Sequence, residues 1–327
     1  MFVHYFYCME GERALDKQEY IVFIGAPCID EYYTILDNWP KLGDKGNVKF
    51  LGNVPGGMIA NAACVFAGYG VKTYCFDVMS DSGTTKFLID DMEENNVDMS
   101  KISLVDGLND AKCIIFQYEG ERSIVVVVGD EYKYYVDKEN LEFLQNASYI
   151  FSTIPVIKRM EDHENIIKAL KKSGVKIVLD NEGTCFTEGW EVIMNCAHTA
   201  FFNEFSLSVF ADGTDEEEFI NKLIDNGITN VVVTLGPNGC RVIAENDDFS
   251  IPSYDVKKVD TTGAGDTFNS SFMYGMHRGW DIRKCAMFAN AAANMSITIQ
   301  GPRGGITTEK EVENFINSRL SEIPKIY

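Results

Sequence analysis

Apolar and polar positions follow two rhythms along this chain. Short apolar runs rich in β-branched and aromatic residues predict strands at Tyr20–Gly25, Thr73–Val78, Tyr149–Ser152, Lys176–Asp180, Ala200–Phe202 and Asn230–Leu235. Between them, apolar residues recur at helical spacing over Met58–Tyr69, Thr84–Asn95, Arg159–Ser173 and Glu216–Asp225. Strands alternating with amphipathic helices predict an α/β fold, in which a mainly parallel sheet is covered by helices on both faces. No linker, internal repeat or low-complexity stretch interrupts the alternation, so residues 20–327 read as one core domain.

Two segments break the rhythm. Residues 31–52 are turn-rich. Residues 111–128 alternate as Cys113-Ile114-Ile115-Phe116-Gln117-Tyr118, turn at Glu119-Gly120-Glu121, and continue as Ser123–Val128. The second reads as an antiparallel hairpin. Together the two form either a small β-lid at one edge of the domain or additional edge strands.

Composition narrows the function classes. Hydrophobic residues make up 46% and charged residues 24%, which is ordinary globular usage. The balance of 29 basic against 49 acidic residues, a net charge of −20, disfavours nucleic acid and anionic membrane surfaces as partners. A single bound anion is still compatible, because oriented backbone N–H groups act locally while salt screens the global field within about 10 Å. The nine cysteines form no C-x-x-C pair and sit largely in apolar runs, and the four histidines are scattered. They predict buried thiols in a reducing cytoplasm, with neither disulfides nor a metal cluster. No apolar run reaches the roughly 18 residues of a membrane span. Residues 1–19 read as a mobile extension. Met1–Met9 lacks the basic flank and cleavage site of a signal peptide, and Met9 is an alternative start.

The candidate chemistry concentrates in Val259-Asp260-Thr261-Thr262-Gly263-Ala264-Gly265-Asp266-Thr267-Phe268. A Gly-Ala-Gly turn feeds a helix with Phe268, Phe272, Gly275 and Met276 on one face. Small residues let the backbone approach an anion, and the new helix aims unpaired N–H groups at it. A bland reading remains for Asp266, as a first-turn carboxylate complementing the helix dipole for about 0.3–1 kcal/mol.

This stretch resembles the D-T-x-G-A-G-D motif of the ribokinase family, the PfkB sugar kinases, and matches it at every defined position. The likeness runs from about Tyr20 to Gly305. It implies a ribokinase-like three-layer α/β/α sandwich with a small β-lid, and an ATP- and Mg²⁺-dependent transfer of phosphate to a hydroxyl of a sugar or sugar-like molecule. In that reading Asp266 is the general base, and the backbone of Gly263, Ala264 and Gly265 is the anion hole.

Further positions follow from the resemblance. Thr234, Gly236 and Gly239, in a T-x-G-x-x-G loop, would contact ATP, as would Asn203 and Asn290; by itself the loop is a β-turn and each asparagine a cap or surface residue. Asp30 and the Gly56-Gly57-Met58-Ile59-Ala60-Asn61 element place Asp30, Gly57 and Asn61 at the acceptor. Asp260, Thr262, Ser296, Ile299, Gly301 and Gly305 correspond to a monovalent-cation site, largely through backbone carbonyls, for which K⁺ is the expected ion; otherwise they form a plain structural loop. The family also implies a homodimer through the lid.

Two departures stand out. The family's N-x-x-E becomes Asn203-Glu204-Phe205-Ser206, leaving Glu204 or water to support Mg²⁺. The glutamate that ribose kinases carry near Ser152-Thr153-Ile154-Pro155 is missing, which disfavours ribose itself. Arg122 reads as a solvated hairpin arginine, or as a contact for an acidic acceptor. A nucleoside kinase and a non-catalytic sugar sensor are the alternatives. The absence of G-x-G-x-x-G after the first strand disfavours a Rossmann oxidoreductase, and the absence of G-x-x-x-x-G-K-[ST] a Walker-type nucleotidase.

Overall fold

The computed structural model describes residues 20–319 apart from Gly120, Glu131, Gly183 and Thr184. The expected N-terminal extension therefore lies outside the described residues. Among the described residues there are thirteen strands: β1 (Tyr20–Ile24), β2 (Cys28–Ile35), β3 (Val48–Gly56), β4 (Lys72–Ser80), β5 (Val97–Val105), β6 (Lys112–Tyr118), β7 (Glu121–Val127), β8 (Tyr149–Ser152), β9 (Lys176–Asn181), β10 (Thr199–Asn203), β11 (Asn230–Thr234), β12 (Cys240–Ala244) and β13 (Asp247–Ile251). The helices are α1 (Met58–Gly68), α2 (Gly83–Glu94), α3 (Lys138–Gln145), α4 (Ile154–Ile157), α5 (His163–Lys172), α6 (Trp190–Met194), α7 (Glu204–Ala211), α8 (Glu216–Asp225), α9 (Ala264–His277), α10 (Ile282–Ser296) and α11 (Glu309–Ser318).

Nine strands form the main sheet in the order β13-β12-β11-β10-β9-β8-β1-β4-β5. It is parallel from β11 to β5, and β12 and β13 close one edge antiparallel. The central strands are apolar on both faces because helices cover both. Along β1, Ile21 and Phe23 face one core while Val22 and Ile24 face the other. On β10, Phe201 enters the first core and Ala200 and Phe202 the second. Helices α1, α9 and α10 pack on the Phe23 side, and α5, α7 and α8 on the Val22 side. This is the three-layer α/β/α arrangement that the strand–helix alternation predicts.

The irregular segments form a second sheet of four strands, in the order β3-β2-β6-β7. Residues 31–52, read as turn-rich, contribute most of two strands, and 111–128 supply the hairpin β6–β7. β2 and β6 pair parallel and carry the junction between the two sheets. The outer edge strand β7 is exposed throughout, with Ile124, Val125, Val126 and Val127 open to solvent.

All parallel strands of the main sheet end along one rim. The chain leaves β1 at Gly25, β9 at Asn181, β10 at Asn203 and β11 at Thr234. Ligands of open α/β sheets bind at such a rim. Among the described residues, no helix is long and apolar enough to cross a membrane.

Candidate active site

The turn before α9 is built around Gly263, whose φ of 75° is left-handed. A Cβ at this position would overlap the carbonyl oxygen of Pro302, so the loop carrying Pro302 packs directly on the turn. Helix α9 then starts at Ala264. The amides of Gly265 and Asp266 donate to no acceptor among the described residues. Two free N–H groups thus sit at the positive end of a 14-residue helix, a ready anion site.

A cavity of about 480 Å³ opens onto this helix start. Ala264, Gly265 and Thr261 line one side, and Thr234, Gly236 and Gly239 the other. Asn290 of α10 is also in the wall, where its Nδ2 donates to the Pro252 carbonyl at 2.6 Å. The cavity therefore joins three of the loop residues and one of the asparagines expected at the nucleotide to two members of the expected anion hole. Its size suits a small-molecule ligand.

Asn203 is placed differently. It is not among the lining residues, and its Oδ1 accepts the Ser206 amide at 2.8 Å while Ser206 Oγ accepts the Asn203 amide at 2.9 Å. Ser206, at the position of the expected glutamate, completes a capping box at the N-terminus of α7. Lys258, Tyr254 and Asn294 line the cavity without having been singled out from sequence. Lys258, in the Lys257-Lys258 pair just before Asp260, was a usable signal.

Beside the helix start lies a cluster of carboxylates. Asp266 is partly buried, and Asn61 Nδ2 donates to its Oδ2 at 2.8 Å, linking α1 to α9. Burial pushes the Asp266 carboxyl up to about 7; the Asn61 hydrogen bond opposes this, and the charges of Glu182 and Asp30 add to it. Asp30 is only 6% exposed on β2, and its carboxyl fits because Gly56 on β3 has no Cβ to overlap it. Burial raises Asp30 as well, against hydrogen bonds from Cys113 and Cys28 and the Arg303 charge. Asp180 is buried and driven well up by desolvation, although Asn269 Nδ2 donates to it at 2.8 Å. Glu182, open to solvent at the end of β9, is raised by the surrounding protein. The sequence reading overlooked Glu182, yet a carboxylate at the C-terminal end of a parallel strand was there to be noticed.

Asn61 and Asp30 thus come together with Asp266. Gly57 has a φ of 99° and caps α1 through its backbone, with Cys28 and Ala26 close by.

The positions expected at a monovalent cation are only partly reunited. Asp260 Oδ1 accepts from the Thr262 amide at 2.9 Å and the Thr262 hydroxyl at 2.6 Å, and Oδ2 accepts from the Gly301 amide at 3.0 Å. Ser296 and Ile299 lie against Gly304, whereas Gly305 packs on Thr267. Into this loop reaches Arg122 from β7. Its Nη1 is 2.9 Å from Asp260 Oδ1 and also donates to the Thr262 hydroxyl, and its Nη2 donates to Thr261 Oγ1 at 3.3 Å. Arg122 is therefore not a solvated hairpin residue: it ties the lid to the loop that leads into α9. Burial alone would raise Asp260, but the bonds from Thr262 and Gly301 and the guanidinium hold it below the ordinary carboxylate range. The Asp260 side chain is thus fully engaged by donors of the protein itself.

Comparison with known proteins adds identity to this geometry. The model of the pfkB family carbohydrate kinases matches residues 18–309. The ribokinase of Bacillus subtilis (strain 168) is 28% identical over 299 residues, 91% of this chain and 99% of that one. The structure of Arabidopsis thaliana ribokinase complexed with ribose and ATP is similar with a TM-score of 0.77 at 23% identity, covering 90% of this chain and 98% of that chain. The nucleoside kinase of Burkholderia thailandensis in complex with inosine gives a TM-score of 0.75 at 16% identity, over 93% and 100%.

The Asp266 environment has a consequence for stability. A pKa of about 7 against the ordinary 3.8 means that the folded chain binds more protons than the unfolded chain between these values. Stability contributed at this site is therefore present at low pH and lost as pH rises through about 7. Asp266→Asn removes the loss. Urea unfolding should find it more stable than the parent by about 1–3 kcal/mol at pH 8, with the difference closing toward pH 4. An equal difference at both pH values would refute the raised carboxyl.

Proposed function

We propose that this chain, which belongs to the pfkB family of carbohydrate kinases, transfers the terminal phosphoryl group of ATP to a hydroxyl of a sugar or sugar-like molecule. One observation carries the reading: the free-amide turn at the start of α9 lines a cavity of about 480 Å³, and Asp266, next in that turn, lies within reach of Asn61 and the carboxylates of Asp30 and Glu182. Asp266 takes the proton from the acceptor hydroxyl, the alkoxide oxygen forms a bond to the γ-phosphorus, and the bond to the β-phosphate oxygen breaks to release ADP. The amides of Gly265 and Asp266, with the Gly263–Ala264 turn, hold the charge of the phosphoryl group in transit. Asn61 orients the Asp266 carboxylate, and Asp30 accepts from acceptor hydroxyls.

Thr234, Gly236, Gly239 and Asn290 hold the nucleotide in the cavity, and Lys258 adds a positive charge at its edge. Mg²⁺ accompanies the nucleotide and supplies charge neutralisation between phosphates. With Ser206 closed into a helix cap, the exposed Glu204 and water are what the chain offers to the ion beside Asn203. A nucleoside is the second reading of the acceptor, supported by the fold shared with the inosine-bound kinase. A reducing, cytoplasmic setting suits the free cysteines.

The guanidinium of Arg122 supplies a positive charge at the Asp260 loop and latches the lid in place. The apolar edge of β7 is covered by a second copy of the chain, which removes an otherwise unpaired strand from water.

Three outcomes test these statements. ADP release measured against pentoses, ketohexoses, sugar acids and nucleosides should identify an acceptor-dependent activity. In that assay Asp266→Asn should lower kcat by about 10²–10⁴-fold, and the parent rate should fall as pH drops below about 7. Near-normal turnover in the variant defeats the assignment. Arg122→Ala should lower kcat/KM for the acceptor about tenfold, as expected for loss of a charged hydrogen-bond set. An unchanged kcat/KM in the variant would refute the guanidinium's role. Light scattering should give a dimer mass for the parent and a monomer mass for Val126→Glu. A monomeric parent at micromolar concentration would remove the dimer.

A further inference from the structure

The lid sheet carries a group of donors that phosphoryl transfer does not use together. Cys28 and Asp30 are two residues apart on β2 and therefore project from the same face. Cys113 on β6 pairs in register with Asp30 across the parallel ladder, so its side chain joins them. The two sulfurs and a carboxylate oxygen all lie within 4.8 Å of one another, and Cys28 Sγ is 3.8 Å from Asp30 Oδ1. Asp30 is buried, while both thiols are only half-buried and can be reached from outside.

We propose that Cys28, Asp30 and Cys113 bind one thiophilic divalent cation, with Zn²⁺ the best match, leaving its fourth position to water or to a hydroxyl. The donor chemistry selects the metal: two thiolates and one carboxylate favour zinc and exclude the magnesium that accompanies nucleotides. The geometry is close to what the ion needs. Zinc–sulfur bonds of about 2.3 Å and zinc–oxygen bonds of about 2.0–2.2 Å in a tetrahedron hold ligand atoms roughly 3.5–3.8 Å apart. Donors already within 4.8 Å of each other close that gap by small side-chain rotations on two hydrogen-bonded strands. Each thiol gives its proton to solvent as it becomes a ligand.

The surroundings favour a cation too. Asp266 and Glu182 act on the same pocket as negative charges, and the Arg303 charge is the counterweight felt by Asp30. With three protein ligands and an open fourth position, the site has the form of an exchangeable zinc site. A metal there engages the carboxylate assigned above to the acceptor, so zinc and acceptor compete for Asp30. That consequence rests on the proposed function; the binding does not.

The test uses the full chain kept reduced with a phosphine, and measures no phosphoryl transfer, so its result is separable from that of the kinase assays. Cd²⁺ is titrated while the sulfur-to-metal charge-transfer absorbance is followed, and Zn²⁺ affinity is taken by competition with a chromophoric chelator. The parent should bind one ion per chain through these thiols, undisturbed by millimolar Mg²⁺. Cys28→Ser and Cys113→Ser should each weaken Zn²⁺ binding at least about tenfold, and the double variant should lose the charge-transfer band, with thermal unfolding verifying that each variant is folded. Absence of the band in the parent would overturn the site, as would a band of undiminished size in the folded double variant.

Discussion

Burial strips the Asp266 carboxylate of water, and a single hydrogen bond from Asn61 at 2.8 Å is the direct compensation beside it. Fuller compensation, by an arginine for example, would leave the group a weak base. Less would leave it protonated near neutrality. The fold holds the balance by fixing two helix starts against each other: α1 behind Gly57 supplies Asn61, and α9 behind Gly263 supplies Asp266. Both turns adopt positive φ, and the Gly263 turn is packed so closely on Pro302 that it has no room for a side chain. The rest of the site is arranged around this pair.

The same logic of under-compensated charge extends across the carboxylates around Asp266. Asp30, Asp180, Glu182 and Asp266 come from a lid strand, a main-sheet strand, the rim beyond it and a helix start; burial raises Asp30, Asp180 and Asp266, and the surrounding protein raises Glu182. Cations are kept at the margins. Arg122 engages Asp260 on the far side of the turn, and Arg303 is paired with Asp91. Such a pocket attracts hydroxyl donors and metal ions, whereas the cavity at the head of α9 presents free backbone N–H groups beside Lys258, Asn290 and apolar residues. Two small regions of opposite preference thus meet at one carboxylate, which suits a reaction that brings an alcohol to a phosphate.

The lid extends that division. Its inner face carries Asp30 and the two cysteines, and Arg122 fastens it to the Asp260 loop. Its outer edge is a run of valines and an isoleucine in water. One sheet therefore combines polar chemistry toward the cleft with an apolar edge suited to association, and a partner on that edge would stiffen the strands from which Asp30 and Arg122 project.

The sequence by itself determined the layered architecture, because central parallel strands must be apolar on both faces and helices on one. It also determined the turn into α9, since Asp260–Asp266 is contiguous and its glycines answer local backbone demands. The loop carrying Thr234, Gly236 and Gly239 was legible for the same reason. What only the tertiary structure decided are the relations between distant segments: Glu182 beside Asp266, Arg122 on Asp260, Ser206 closing a helix cap, and Cys113 against Cys28 and Asp30. Residues 31–52 read as turns because half-exposed lid strands lack a strong apolar period, and strand register rather than sequence spacing aligned Cys113 with Asp30. Local steric preferences are encoded in neighbouring residues, whereas the charge balance of a pocket is a sum over segments that only folding brings within reach of one another.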